Sequence, residues 1–473
     1  MGSDEGRKPT VFQNLLSDFY DWVLSWLFLS SLWKRISDID ANSVGCDCEN
    51  STFVYSSGMM EFHEYKLPNG LQVIAELNPT VHSVAAGFFV RTGSRDETDE
   101  VSGVSHFLEH MAFKGNDKYN ADDVNRIFDE LGANYNASTG EEVTMYYAAV
   151  LPEYLEPTME LLTILMQPSL LEEDFDMEKN VILEEIGMYD DMPSFTAYDT
   201  AMATHFQNHS LGRSILGTNE SITDLTVQQM RAYHADQYQA GNMTFAIAGN
   251  TSLAEVQRLV EKYCSGLPVG QPVRTTEPLT AVERRQLLAK EQCVQQHVMQ
   301  MGVAPDANDD RRYAAEVLAL VVGDDSGSRL FWELVDPGFV EAADIGYAEY
   351  EGAGAWLTYV SCNPDDIQAN MDRMQAVFDD VNTNGITAEE LQQAQNKIAS
   401  RIVLKSERPM GRLTALGGNW VYRNEYRSVS ADLKTVRAVT LEDITSLLKD
   451  FPLKLNTTVG VGPLADWEPA VAR

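Results

Sequence analysis

An internal repeat constrains the fold of this 473-residue chain more than any other feature. Residues 226–248 are a predicted helix followed by a predicted strand, and residues 440–462 repeat the pattern with the same spacing. The offset between these units is 214 residues, and at this offset the apolar stretch 84–90 falls on 298–303. Chance similarity between two short units is the alternative, but three segments in one register favour duplication.

The duplication predicts an α+β chain of two tandem homologous halves. In each half we expect a mostly antiparallel sheet with helices packed on it, an arrangement like an α/β sandwich. A Pro- and Gly-rich stretch after Gly266 has the composition of a linker. The predicted boundaries are an N-terminal extension outside the core fold at 1–58, a first half at 59–268, a linker at 269–284 and a second half at 285–473.

The N-terminal extension contains an apolar stretch, residues 22–33, that is too short to span a bilayer as a helix. Acidic residues lie between the basic N-terminus and this stretch, and no signal-peptidase cleavage pattern follows it. The segment therefore matches a signal peptide poorly. A surface-lying helix is one alternative, and a true start at Met59 or Met60 is another. We expect a cytoplasmic protein of bacterial type, the alternative being export or membrane association through residues 11–35.

The chain has 71 acidic and 35 basic residues, a formal net charge of −36. This charge argues against nucleic acid as a partner, because phosphate backbones select basic surfaces. No nucleotide is expected, since the loop at 322–328 lacks the Gly-Lys-Ser/Thr ending of a phosphate-binding loop. The acidity suits cationic peptide ligands, although solubility or a saline habitat explains it equally well. Five scattered cysteines imply no disulfide framework.

The stretch His106-Phe-Leu-Glu109-His110 lies in a predicted helix from Gly103 to Gly115, with Ser102 as its N-cap and a left-handed turn at its end. Residues three and four apart share a helix face, so both imidazoles and the carboxylate point the same way. Two imidazoles suit zinc, and a carboxylate that is not a ligand suits a general base, as in the inverted H-x-x-E-H motif. The alternative is an ordinary amphipathic helix with two histidines on its polar face.

A second predicted helix, residues 173–189, supplies candidates for a third ligand, which catalytic zinc usually needs. Glu178 and Glu185 lie two helical turns apart and face nearly the same way. The alternative is a solvated acidic helix, and composition cannot separate the two.

The H-x-x-E-H stretch, followed from Glu178 by Glu-Lys-x-Val-x-Leu-x-Glu, resembles the pitrilysin and mitochondrial processing peptidase family of zinc endopeptidases, which includes insulin-degrading enzyme. The similarity spans residues 60–465 and rests on several separate motifs. Further segments in the style of the family are the opening strand Leu67–Glu76, the active-site hairpin Gly132–Tyr147, Leu211–Thr218 and Val461–Pro463.

The resemblance implies one zinc ion per chain, bound by His106, His110 and Glu185. It also implies that Glu109 activates water and that Glu178 supports the site without binding the metal. Glu184 competes with Glu185 for the ligand role, but register with Glu178 favours Glu185. The family fold is of a clamshell type in which one half is catalytic, and a related subunit in a homo- or heterodimer is an expected partner.

Family resemblance also places substrate backbone against the predicted strand at 133–139, since an edge strand can pair with an extended peptide. Asn134, Asn136 and Ala137 are therefore predicted to bind substrate. The alternative is a normal hairpin whose polar residues face water.

The second half differs from the first where the zinc site would lie. The residues 214 positions after His106, Glu109 and His110 are Leu320, Gly323 and Asp324, which cannot supply a matching site. Another histidine pair, His205 and His209, has no acidic residue between its members, which makes it a weaker metal candidate. The family resemblance implies a structural role for His209.

One family feature is missing. Many single-subunit relatives carry an Arg and a Tyr seven apart after a Ser-Arg-Leu-Phe segment, but the aligned positions here are Val335 and Ala342. The replacements are either groups of a partner subunit or side chains of this chain, for which the candidates are Arg329, Tyr347 and Tyr350.

We therefore predict a zinc-dependent endopeptidase that hydrolyses peptide bonds in short or unfolded polypeptides, with water activated by zinc and Glu109. The alternative is a catalytically silent or partner-dependent peptide-binding subunit of a complex like the processing peptidases. The intact H-x-x-E-H motif argues against a catalytically silent subunit. The absence of the Arg and Tyr favours an enzyme that depends on a partner.

Overall fold

A computed structural model of the chain describes residues 60–276, 279, 283–464 and 466–467. The predicted extension at 1–58, with its apolar stretch at 22–33, lies outside the described residues. Among the described helices, none has both the length and the apolar character needed to cross a bilayer.

The first half contains a six-stranded sheet with its neighbours mostly antiparallel. The strands are Glu61–Lys66 (β1), Gln72–Leu77 (β2), Val84–Val90 (β3), Asn134–Thr139 (β4), Thr144–Val150 (β5) and Met243–Gly249 (β6). Their order is β1-β2-β6-β3-β5-β4, so β4 is an edge strand. β2 and β6 run parallel, and the other neighbouring pairs run antiparallel.

The segment expected to be one opening strand from Leu67 is instead the turn and second strand of the β1–β2 hairpin. The amide of Leu67 donates to the carbonyl of Leu71, which closes the Pro-Asn-Gly turn between them. Pro and Gly interrupt strand pairing, so the apolar run after the turn begins a separate strand.

Helices of the first half cover one face of this sheet and form its core, which includes Phe88, Phe107, Phe128 and Tyr146. The helices of the first half are Val104–Ala112 (α1), Ala121–Glu130 (α2), Leu155–Leu165 (α3), Glu172–Asp190 (α4), Pro193–Phe206 (α5), Asn219–Asp224 (α6), Val227–Gln237 (α7) and Leu253–Cys264 (α8).

The second half repeats this architecture with a five-stranded sheet. Its strands are Arg284–Ala289 (β7), Gln296–Val303 (β8), Ala342–Tyr350 (β9), Ala353–Cys362 (β10) and Leu455–Gly462 (β11). The order is β7-β11-β8-β10-β9, with β7 and β11 parallel, as β2 and β6 are in the first sheet. The helices are Arg312–Gly323 (α9), Ile367–Asn384 (α10), Ala388–Ser406 (α11), Pro409–Arg423 (α12), Val429–Ala438 (α13) and Leu441–Asp450 (α14).

The predicted fold of two sheets with packed helices is confirmed, and the repeat is visible in local detail. Thr226 caps α7 by accepting from the amide of Gln229, and Thr440 caps α14 by accepting from the amide of Asp443. Each cap is followed by a central strand, β6 or β11. Equivalent local sequences therefore fold into equivalent units at the predicted offset.

The two halves exchange a helix. α5 of the first half packs on β8 and β11 of the second sheet, and α12 of the second half packs on β3 and β6 of the first sheet. Gly417 permits the close approach of α12, because a Cβ there would overlap the ring of Phe89. Each sheet is thus covered on one face by its own helices and on the other face by a helix of the other half.

A buried ion pair fixes the exchanged helix α12. The Arg412 guanidinium donates to both carboxylate oxygens of Glu76 on β2, at 2.7 and 2.6 Å. The hydroxyl of Tyr426 donates to the same carboxylate at 3.0 Å. A bidentate pair of this kind specifies where the helix lies on the sheet.

The predicted linker at 269–284 is packed against both halves where it is described. Arg274, with its side chain 4% exposed, donates to Asp96 at 2.6 and 2.8 Å and to the Glu142 carbonyl at 2.6 Å, and it pairs with Glu351. Residues 269–276 contain no helix or strand, and β7 begins at Arg284. The boundaries assigned to the domains stay a prediction.

Candidate metal centre

α1 carries the H-x-x-E-H stretch and begins directly after Gly103, which has a left-handed φ of +89°. The expected cap by Ser102 is wrong. The Glu97 carboxylate accepts instead from the amides of Gly103 and Ser105, both at 2.7 Å. This helix start is buried, so its amides need an acceptor that reaches in from the preceding turn. Gly115, with φ of +79°, makes the predicted left-handed turn after the helix.

Two imidazoles and one carboxylate meet between α1 and α4. The Glu185 Oε2 atom lies 3.9 Å from His106 Nε2 and 3.7 Å from His110 Nε2. One ligand atom from each residue lies within 4.8 Å of the other two. The structure therefore brings together the three residues predicted to bind metal.

This donor set fits zinc. The Nε2 atom of His110 and the Oε2 atom of Glu185 are buried and have no hydrogen-bond partner in the described part of the chain. Unpaired buried polar atoms are costly, and a cation bound between them would satisfy both. Zinc ligands lie about 2.0–2.2 Å from the metal, so two of them bound to one ion are separated by up to about 4 Å. The distances from Glu185 to the two histidines, 3.9 and 3.7 Å, meet this limit.

The two histidines differ in their ionisation, and burial holds only His106 in the neutral form that binds a metal. Burial, together with the charge of His110, holds the pKa of His106 well below its usual value, so this imidazole is neutral and free to bind. Burial lowers the pKa of His110, but the hydrogen bond with Glu178 and the charges of nearby carboxylates outweigh it, so the pKa is raised.

Glu178 orients His110 by binding the ring nitrogen that faces away from Glu185. The Nδ1–H of His110 donates to Glu178 Oε1 at 3.0 Å, which leaves Nε2 to face Glu185. Burial raises the pKa of Glu178, but hydrogen bonds from His110 and Lys114 outweigh it, so the pKa lies below its usual value. Glu184 is exposed on the other side of α4, whereas Glu185 faces the histidines.

We expect Glu178→Gln to weaken zinc binding by roughly 10- to 100-fold, because the amide no longer stabilises and orients His110 as a carboxylate does. Glu184→Gln, on the exposed side of the same helix, is the matched control. Competition titration against a zinc-chelating dye measures both affinities. Equal affinities in the two variants would contradict the supporting role of Glu178.

Glu109 lies beside the cluster and is only 3% exposed. Burial raises its pKa to about 7, opposed by the charge of His110 and by a hydrogen bond from Thr139. The Thr139 hydroxyl donates to Glu109 Oε2 at 2.5 Å. Sequence reasoning missed Thr139, although the two-residue period of a strand puts it on the same face as Ala137.

The residues predicted to bind substrate lie on the edge strand β4. Asn134 is exposed, whereas Asn136 and Ala137 are buried. The ring of Tyr135 stacks on Phe128 with 4.1 Å between ring centroids, which fixes the strand against α2. The strand therefore has the edge position that peptide pairing needs, and binding by these three residues stays a prediction.

The second half has no equivalent cluster at the corresponding described positions. Leu320 and Gly323 belong to the apolar helix α9, and Asp324 pairs with Lys397 and Arg401 at 2.6 Å each. Of the other histidines, His205 contacts the Thr457 hydroxyl at 3.0 Å, and His209 accepts from the Leu211 amide at 3.1 Å.

The side chains suggested as substitutes for the missing Arg and Tyr are engaged within the fold. Arg329 pairs with Asp380 and Glu390 at 2.7 Å each. The Tyr347 hydroxyl donates to the Pro305 carbonyl at 2.8 Å, and Tyr350 is buried in the core between the halves. The supply of these groups by a partner subunit stays a prediction.

Comparison with known proteins gives matches to one family of peptidases. Residues 72–219 match the family model described as Insulinase (Peptidase family M16), and residues 224–398 match that of the Peptidase M16 inactive domain. The chain is 30% identical to the uncharacterised zinc protease YmxG of Bacillus subtilis, over 84% of this chain and 99% of that protein. It is 32% identical to an uncharacterised zinc protease of Mycobacterium leprae, over 84% and 91% of the two chains.

Solved structures show the same fold. A protease from Helicobacter pylori matches with a TM-score of 0.79 at 21% identity, over 86% of this chain and all of that one. A Pseudomonas fluorescens structure, described as a peptidase M16 inactive domain, matches with a TM-score of 0.79 at 18% identity, over 86% and 99% of the two chains.

Proposed function

The chain belongs to the insulinase family of peptidases, family M16, and from this membership we propose that it is a zinc-dependent endopeptidase of short or unfolded polypeptides. The observation that carries the proposal is the meeting of His106, His110 and Glu185 at one point, with the buried carboxylate of Glu109 beside them.

The roles of the residues follow from their contacts. His106, His110 and Glu185 would hold the metal, and Glu178 would orient His110. Zinc in such a site supplies Lewis-acid chemistry, polarising a peptide carbonyl and lowering the pKa of water towards ~7. Glu109 would accept the proton of the attacking water and return it to the leaving amine, a task suited to a carboxyl whose pKa is about 7.

The edge strand β4 supports an extended peptide as substrate. An edge strand offers unpaired backbone groups, and a peptide can satisfy them only when its own backbone is extended and free of other structure. A short or unfolded polypeptide meets this condition. The net charge of −36 favours cationic sequences among such substrates.

We expect the purified chain to contain one zinc ion and to cleave a quenched library of unstructured peptides. A chelator that removes the metal should abolish cleavage, and added zinc should restore it, because no other described group at the site polarises the carbonyl. Metal analysis and fluorescence are measured on the same samples. Metal-free, inert protein that stays inert with added zinc would contradict the proposal.

A partner-dependent subunit is the second candidate. It is favoured by Val335 and Ala342, and by the engagement of Arg329 and Tyr347 within the second half. A zinc-loaded chain that cleaves nothing alone, but gains activity when mixed with a related subunit, would select this candidate over a self-sufficient peptidase.

A further inference from the structure

Thr139 joins the edge strand to the candidate general base. It is the last residue of β4, and its hydroxyl donates to Glu109 Oε2 at 2.5 Å. Both side chains are buried, so water does not compete for this hydrogen bond. A charge-assisted hydrogen bond in such surroundings restrains the rotation of the carboxylate.

The position of Thr139 is itself fixed. A β-branched side chain on a strand has few rotamers, so its hydroxyl keeps one direction. Three residues later, Glu142 is anchored by Arg95 at 2.6 Å, by the Arg274 guanidinium at its carbonyl and by the Glu351 amide at 3.1 Å. The turn that follows β4 is therefore held by the linker and the second half.

We propose that Thr139 is a positioning residue for Glu109, setting the direction of the carboxylate from the strand on which a peptide substrate would lie. The inference rests on the proposed function and deepens it. Because β4 would pair with the peptide and Thr139 would aim the base, one rigid strand would align the scissile bond and the proton acceptor with each other.

Two variants separate the hydroxyl from the shape of the side chain. Thr139→Val removes the hydroxyl and preserves the volume, whereas Thr139→Ser preserves the hydroxyl. With zinc content unchanged in both, Thr139→Val is expected to lower kcat by about 10- to 100-fold and to leave KM within about twofold, since it loses a hydrogen bond to a charged group. Thr139→Ser should retain kcat within a few-fold of wild type. A wild-type kcat in the Val variant, or equal losses in both variants, would overturn the proposal.

A crystallographic measurement tests the same role without relying on turnover. In crystals of the Thr139→Val protein, the Glu109 carboxylate should be rotated or should adopt more than one conformer, and in Thr139→Ser it should keep one direction. An unchanged, single Glu109 conformer in the Val variant would contradict positioning by Thr139. The turnover of wild type, measured alongside, tests the proposed peptidase function separately.

Discussion

Glu109→Gln is expected to keep one zinc ion per chain and to cleave peptides about 10²- to 10⁴-fold more slowly than wild type. The amide has nearly the same shape as the carboxylate but cannot accept the proton of water. Glu109 lies outside the three-residue ligand cluster, so metal binding should survive the change. Metal analysis and initial rates on a quenched peptide, measured on one preparation, report both quantities.

Glu184→Gln is the control for this experiment, because it makes the same chemical change at an exposed glutamate of α4. Its rate and zinc content should match those of wild type. A Glu109→Gln protein with full zinc and undiminished turnover would remove Glu109 from the mechanism. A loss of zinc in this variant would show instead that Glu109 contributes to binding the metal.

Arg412→Met is expected to destabilise the fold by about 3–5 kcal/mol, because it leaves a buried carboxylate without its ionic partner. The side chains of Arg412 and Glu76 are 6% and 2% exposed. Met fills most of the aliphatic space of Arg, so the cost comes chiefly from the unpaired charge of Glu76. The midpoint of urea unfolding, followed by circular dichroism, measures the loss.

Two further variants assign the cause. Arg126→Met makes the same substitution in an exposed pair on α2 and should move the midpoint little. Combining Arg412→Met with Glu76→Leu removes both charges and should recover most of the lost stability. A double variant as unstable as Arg412→Met alone would show that packing of the Arg side chain, and not its charge, holds α12 in place.

The sequence predicted those parts of the molecule that depend on local periodicity. The H-x-x-E-H spacing brought His106 and His110 onto one face of α1, and the seven-residue spacing put Glu178 and Glu185 on one face of α4. The repeat predicted two equivalent units because capping residues and central strands recur at a fixed offset. Helical and strand periods are properties of short segments, so they can be recognised without the fold.

Contacts between distant segments were not predictable in this way. Glu97 caps α1 only because the preceding turn folds back, and Arg274 is buried only because both halves close around the linker. The hydrogen bond from Thr139 to Glu109 depends on where β4 ends relative to α1. No spacing within either segment specifies such a distance.

The exchange of α5 and α12 constrains the order in which the parts of this chain can fold. The outer face of the first sheet, with Ile74, Phe89 and Ala246, is covered by side chains of α12. We therefore expect a growing polypeptide to leave this apolar face uncovered until α12, which ends at Arg423, has been synthesised. For the same reason, we expect that cutting the chain near residue 270 would not release two independent domains. Each fragment would lack the helix, α12 or α5, that covers the outer face of its sheet.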